Sequence, residues 1–120
     1  MKSNVKVKIC GLTTSDTVQA AIEADTDYIG FVFFAKSPRY VTPQESKTLA
    51  EFVPETVIKV GLVVDADDAL LDYIMSNGAI DMLQLQGIET PERVERIKAK
   101  TGLPVMKAVG IFEKSDLDVL

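Results

Sequence analysis

The chain contains no histidine and a single cysteine. The first absence removes every Ser/His or Cys/His nucleophile pair and every histidine-based metal site. The second rules out a disulfide within the chain. Acid–base chemistry would therefore fall to carboxylates, lysines, tyrosines or the one thiol, Cys10. No Lys/Arg cluster forms a basic face and the net charge is −5, so nucleic acid is not an expected partner. No apolar run is long enough to span a bilayer, so no membrane partner is expected either. Met1-Lys2-Ser3-Asn4-Val5 lacks an apolar signal core, and a cytoplasmic protein is the expectation. A glycine-rich dinucleotide fingerprint is also missing after every strand-like segment.

What is present is a chain of 120 residues, 47% hydrophobic and 26% charged, the makeup of one soluble domain. Strand-like segments begin near Val5, Tyr28, Val57, Ile80 and Pro104, at spacings of 23, 29, 23 and 24 residues. A helical pattern fits each gap, so the chain reads as βαβ units on a parallel sheet. The helix starts are well marked. Thr14 or Ser15 opens the first, Thr42-Pro43-Gln44-Glu45 has the form of a capping box with proline at the first helical position, Asp65-Ala66-Asp67 precedes the third, and Thr90-Pro91 opens the fourth. Gly78 and Gly102 mark stops. Leu49, Phe52 and Val53 are predicted to face inward from the second helix, and Gly61 to interrupt the third strand. Ser115-Asp116-Leu117 resembles one more helix start.

The polar residues of the strands decide between two architectures. Lys6, Lys8 and Cys10 share one face of the first strand, Gln84 and Gln86 one face of the fourth, and Lys107 lies in the fifth. An open doubly wound sheet buries both faces under apolar helices, where a lone lysine is costly. A barrel has an interior in which such groups can meet, and it is the favoured reading, with Lys107 among the interior groups. Five strands do not close a barrel of eight. Residues 1–120 are therefore expected to be a single but incomplete domain that lacks strands six to eight. Its open edges, and the apolar inner surfaces of Phe31, Phe33 and Val63, would then meet water and drive self-association.

Cys10 stands at the carboxyl end of a strand, where parallel α/β folds collect their chemistry. By residue type alone it is more often a small buried apolar group than a nucleophile or base; its place at the strand end brings the two readings towards even, though an unperturbed thiol is only a few per cent thiolate at neutral pH. Arg39 follows Lys36-Ser37-Pro38 in a stiffened loop on the same side. It is either a solvated charge or a fork for a carboxylate or phosphate. Asp65, Asp67 and Asp68 read as a helix start in preference to a metal cluster, and no metal site is expected.

Five stretches carry a resemblance: Lys8-Ile9-Cys10-Gly11, Gly30-Phe31-Val32-Phe33, Lys36-Ser37-Pro38-Arg39-Tyr40-Val41, Val60-Gly61-Leu62-Val63 and Leu83-Gln84-Leu85-Gln86-Gly87. In this order and spacing the chain resembles the phosphoribosylanthranilate isomerases of tryptophan biosynthesis. The resemblance implies a (β/α)8 TIM barrel, of which this chain would supply the first four βα units and the fifth strand. It implies an Amadori rearrangement of a phosphosugar substrate without a cofactor, with Cys10 as general base and Arg39 holding the anthranilate end. The general acid and the phosphate loops would lie beyond Leu120, so these 120 residues alone are expected to be inactive. Family members commonly carry histidine where this chain has Gln86, which alters one contact near the substrate. The alternative is a non-catalytic half-barrel that folds by self-association or by docking a complementary piece.

Overall fold

The computed structural model describes residues 5–108. Among the described residues, four βα units and a fifth strand follow one another as β1 (Lys8–Cys10), α1 (Ser15–Glu23), β2 (Tyr28–Val32), α2 (Pro43–Ala50), β3 (Ile58–Val63), α3 (Asp68–Asn77), β4 (Met82–Leu85), α4 (Pro91–Thr101) and β5 (Val105–Lys107). The Ser115 helix start lies outside the described residues. All strand pairs are parallel, and their spatial order is β1-β2-β3-β4-β5. A doubly wound sheet reverses direction at a switch point. This one advances in a single direction and has none among the described residues.

The helices begin where their capping groups lie. Thr14 and Thr42 close reciprocal capping boxes with Thr17 and Glu45, while Asp67 and Thr90 accept from the amides of Leu70 and Arg93. Each cap satisfies an amide that the helix itself leaves without a partner. The first helix needs no glycine to stop, because Asp25 adopts a φ of 60° just past its end.

One apolar core joins all four helices to one face of the sheet. Val18 and Ala21 of α1, Leu49 of α2, Leu71 and Ile74 of α3 and Ile97 of α4 pack with Ile29, Phe31, Phe33, Val63, Leu83 and Leu85. These sheet residues have the same parity through the register, in which Phe31 pairs with Gly61, Gly61 with Leu83 and Val63 with Leu85. Phe31, Phe33 and Val63 are thus not inner-surface residues. They lie under the helices at 0%, 2% and 0% exposure. Gly61 does not break β3 either. It lets Phe33 and Ile80 close over the strand, where a Cβ would fall 2.8 and 2.9 Å from them. Phe52 points outward at 43% exposure, because α2 ends at Ala50 and the helical period cannot be carried past it.

The opposite face carries Lys8 and Cys10, Tyr28, Gly30 and Val32, Ile58, Val60 and Leu62, Met82 and Gln84, and Met106. Across it the Lys8 ammonium donates to Gln84 Oε1. Three strand spacings separate β1 from β4, about 14 Å in a flat sheet at ~4.8 Å each. Contact between the two side chains requires the sheet to curl towards this face, as a barrel wall does. Lys107 is not part of it. Its pairing with Leu85 puts it on the helix-facing side, and its ammonium reaches past the strand ends instead.

Burial on the helix side should dominate stability. Ile97→Ala should cost about 2–5 kcal/mol, while Phe52→Ala should shift the unfolding midpoint far less, within about 0.5 kcal/mol for an exposed site. Urea denaturation of the two variants checks the difference.

Candidate functional site

The carboxyl ends of the strands gather the polar side chains. Cys10 ends β1 and pairs with Gly30. A Cβ at Gly30 would lie 2.7 Å from Cys10 Sγ, so the thiol occupies space that only glycine leaves open on the concave face. Gly11 follows with φ of 82° and turns the chain into the first loop. Its amide donates to Gly30 O at 2.9 Å. The second loop leaves β2 and returns to it, as Val41 N donates to Val32 O at 3.0 Å and Arg39 N to Ser37 Oγ at 3.1 Å. This carries the exposed Arg39 side chain across Gly11. A Cβ built there would lie 3.0 Å from Nη1 and 3.3 Å from Nε, and closer still to Cδ. The structure therefore brings both predicted site residues, Cys10 and Arg39, to one side of the mouth, with a glycine between them.

The other side of the mouth holds a cluster that the sequence did not disclose. Asp65 follows β3 with a φ of 48°, outside the usual range of a side-chain-bearing residue. Its Oδ1 accepts from Ile88 N at 2.7 Å, and its own amide donates to Glu89 Oε2 at 2.9 Å. Glu89 Oε1 receives the Lys107 ammonium at 2.6 Å, which also donates to Gly87 O at 2.5 Å. The Glu89 side chain is 2% exposed. Burial pushes its pKa up, but the Lys107 hydrogen bond and the amides of Asp65 and of Glu89 itself pull more strongly together. The group settles below its ordinary value of 4.5. Nearby, Arg93 donates to Asp68 at 2.7 Å and to Ala66 O at 2.9 Å, tying α4 to the third loop. That hydrogen bond, against a smaller opposing effect of burial, lowers the Asp68 pKa.

The three aspartates have separate tasks. Asp67 caps α3, Asp68 pairs with Arg93 and Asp65 binds an amide. Among the described residues no group of three His, Cys, Asp or Glu side chains is placed to hold a metal. Gln86, whose amide donates to Val63 O, stands exposed just past the end of β4, next in sequence to Gly87 of this cluster. Among the described residues no helix is long and apolar enough to cross a membrane.

The profile of the family described as N-(5'phosphoribosyl)anthranilate (PRA) isomerase matches residues 7–119. The chain belongs to this family. It is 55% identical over 116 residues to the N-(5'-phosphoribosyl)anthranilate isomerase of Paracoccus denitrificans, covering 97% of this chain and 54% of that protein. It is 54% identical over 114 residues to that of Paramagnetospirillum magneticum, covering 95% and 53%. Among solved structures it is similar to phosphoribosyl anthranilate isomerase from Thermotoga maritima, with a TM-score of 0.88 and 32% identity over 95% of this chain and 55% of that one. Equally similar, at a TM-score of 0.88 and 32% identity, is a phosphoribosyl anthranilate isomerase in complex with reduced 1-(o-carboxyphenylamino)-1-deoxyribulose 5-phosphate. The chain spans about half the length of the curated relatives it matches. The family and its parallel α/β barrel architecture thus agree with the resemblance drawn from the Lys8-Ile9-Cys10-Gly11 and Arg39 stretches.

Because the folded pKa of Glu89 lies below its unfolded value, folding favours the ionised form. Its contribution to stability is present above about pH 4.5 and is lost as pH falls through the lower folded value. Glu89→Gln should destabilise the chain at pH 7 and narrow the loss of stability on acidification. Unfolding midpoints measured at both ends of this range check it, and equal destabilisation at the two pH values contradicts it.

Proposed function

We propose that the chain forms the amino-terminal part of a (β/α)8 barrel that converts N-(5'-phosphoribosyl)anthranilate into 1-(2-carboxyphenylamino)-1-deoxyribulose 5-phosphate. The observation that carries this reading is that Cys10, at the end of β1 on the concave face, is followed by Gly11, across which the Arg39 side chain lies at the same mouth. Cys10 is the general base and Arg39 the carboxylate clamp. The cytoplasmic location inferred from composition belongs to the same proposal.

The chemistry is an internal exchange of oxidation level. A general acid supplied outside these residues protonates the ribose ring oxygen. The C1–O bond then breaks with its electron pair going to that oxygen, and the anthranilate nitrogen forms a double bond to C1. The planar fork of Arg39 pairs with the anthranilate carboxylate, which holds C2 at the thiol side of the mouth. Cys10 removes the proton from C2, the C–H electrons form C1=C2, and the C1=N electrons return to nitrogen. Proton gain at C1 and ketone formation at C2 complete the product. C1 is reduced and C2 oxidised within one molecule, so the reading calls for no external cofactor.

Completing the concave face is part of the proposal. β1 and β5 end the sheet among the described residues, and Met106 of the concave face is 39% exposed. Further strands of the family barrel, from the same or another chain, would cover this face. In their place a second copy of the chain would associate through it.

The test is to assay the 120-residue chain alone and co-expressed with the carboxyl-terminal remainder of the Paracoccus denitrificans relative. The chain alone should be inactive and associated, and the pair should isomerise the substrate. In the active pair Cys10→Ala should lower kcat by about 10² or more, the range of a lost general base. Arg39→Ala should chiefly raise KM, as removal of a ground-state contact does. Full kcat with alanine at position 10 would remove Cys10 from the reaction.

A further inference from the structure

Glu89 has no place in the chemistry described above, yet its carboxylate is the most enclosed charged group at the mouth, with its side chain 2% exposed. It joins three successive strand ends. Asp65 N from the loop after β3 donates to it, and so does Lys107 Nζ from β5, while Glu89 itself lies in the loop after β4. The loops answer each other, because the Asp65 carboxylate accepts in return from Ile88 N. Gly87 rests on Asp65 so closely that a Cβ there would fall 2.7 Å from the Asp65 amide and nearer to its carboxylate. The turn held in this way is the one that immediately follows Gln86, the polar residue of β4's end that stands exposed at the mouth. Its distance from the thiol side of the mouth, across β2 and β3, makes direct contact of Glu89 with Cys10 unnecessary to its role.

We propose that Glu89 is a positioning residue: its carboxylate clasps the loops after β3 and β4 and thereby fixes Gln86 towards the substrate. This deepens the proposed isomerase site and rests on it only for the substrate. The clasp itself stands on hydrogen bonds within the chain.

Two readouts separate the parts. In hydrogen exchange followed by NMR, Glu89→Gln should speed exchange of the Asp65 and Ile88 amides by about tenfold or more, the effect of losing a charged hydrogen-bond acceptor. Asp72→Asn, which removes an ion pair elsewhere, should change neither. In the active pair with the Paracoccus denitrificans remainder, Glu89→Gln and Gly87→Ala break the clasp by different routes. Both should raise KM by about tenfold with kcat held. Unchanged exchange at Asp65 and Ile88 would overturn the clasp. A fall in kcat at constant KM would reduce Glu89 to a structural role and overturn the positioning. A pair inactive without any substitution would count against the proposed isomerase, and exchange would then decide the clasp by itself.

Discussion

The two-residue period of the strands governs everything at this mouth. Side chains of one parity lie under four helices in a continuous apolar core, and those of the other parity face the hollow of the curled sheet. A slip of one residue in β1 would bury Lys8 and Cys10 among helices and put Ile9 into the hollow. The register Lys8–Tyr28, Ile9–Ile29, Cys10–Gly30 prevents this, and the depth of the core makes that register costly to break. The concave face is thus set indirectly. The apolar side chains secure the opposite face, and Cys10 takes the position that remains.

That hollow tolerates charge because it is not closed by helices. Lys8 finds Gln84 across the curl, and Gln84, at 6% exposure, keeps its polar side chain satisfied. The cluster at the strand ends uses the opposite tactic. Glu89 is withdrawn from water, and Lys107 with two backbone amides compensates for its burial. Attraction offsets desolvation only when such bonds are short and complete, which makes the arrangement sensitive to any single loss.

Much of this was legible in the sequence. Thr42, Pro43 and Glu45 announced α2 because capping is a local matter of three or four residues. Lys8, Cys10 and Gln84 were assigned to one hollow because each alternates with apolar neighbours. Phe31 and Phe33 were misplaced because a strand apolar at every position gives no parity to read. Lys107 was misplaced because parity within β5 fixes its faces only relative to each other, and the pairing of Leu85 with Lys107 is needed to relate them to β4. Phe52 failed because the helical period was carried past the end of its helix. The clasp was invisible for a different reason. Asp65 and Glu89 are 24 residues apart, Glu89 sits before an obvious helix start, and nothing local marks a buried carboxylate. Cys10 and Arg39 were named as separate candidates. That Arg39 lies across Gly11, the residue after Cys10, is a tertiary fact that depends on the return of the second loop to β2.

Cys10 and Arg39 are proposed to address the same bound molecule. A crystal structure of the active assembly with reduced 1-(o-carboxyphenylamino)-1-deoxyribulose 5-phosphate, the ligand of a solved relative, tests it most directly. The ligand's carboxylate should accept hydrogen bonds from the Arg39 guanidinium, with the carbon corresponding to C2 next to Cys10 Sγ. A ligand bound in the hollow with its carboxylate turned away from Arg39, or with Cys10 out of reach of that carbon, would contradict the claim.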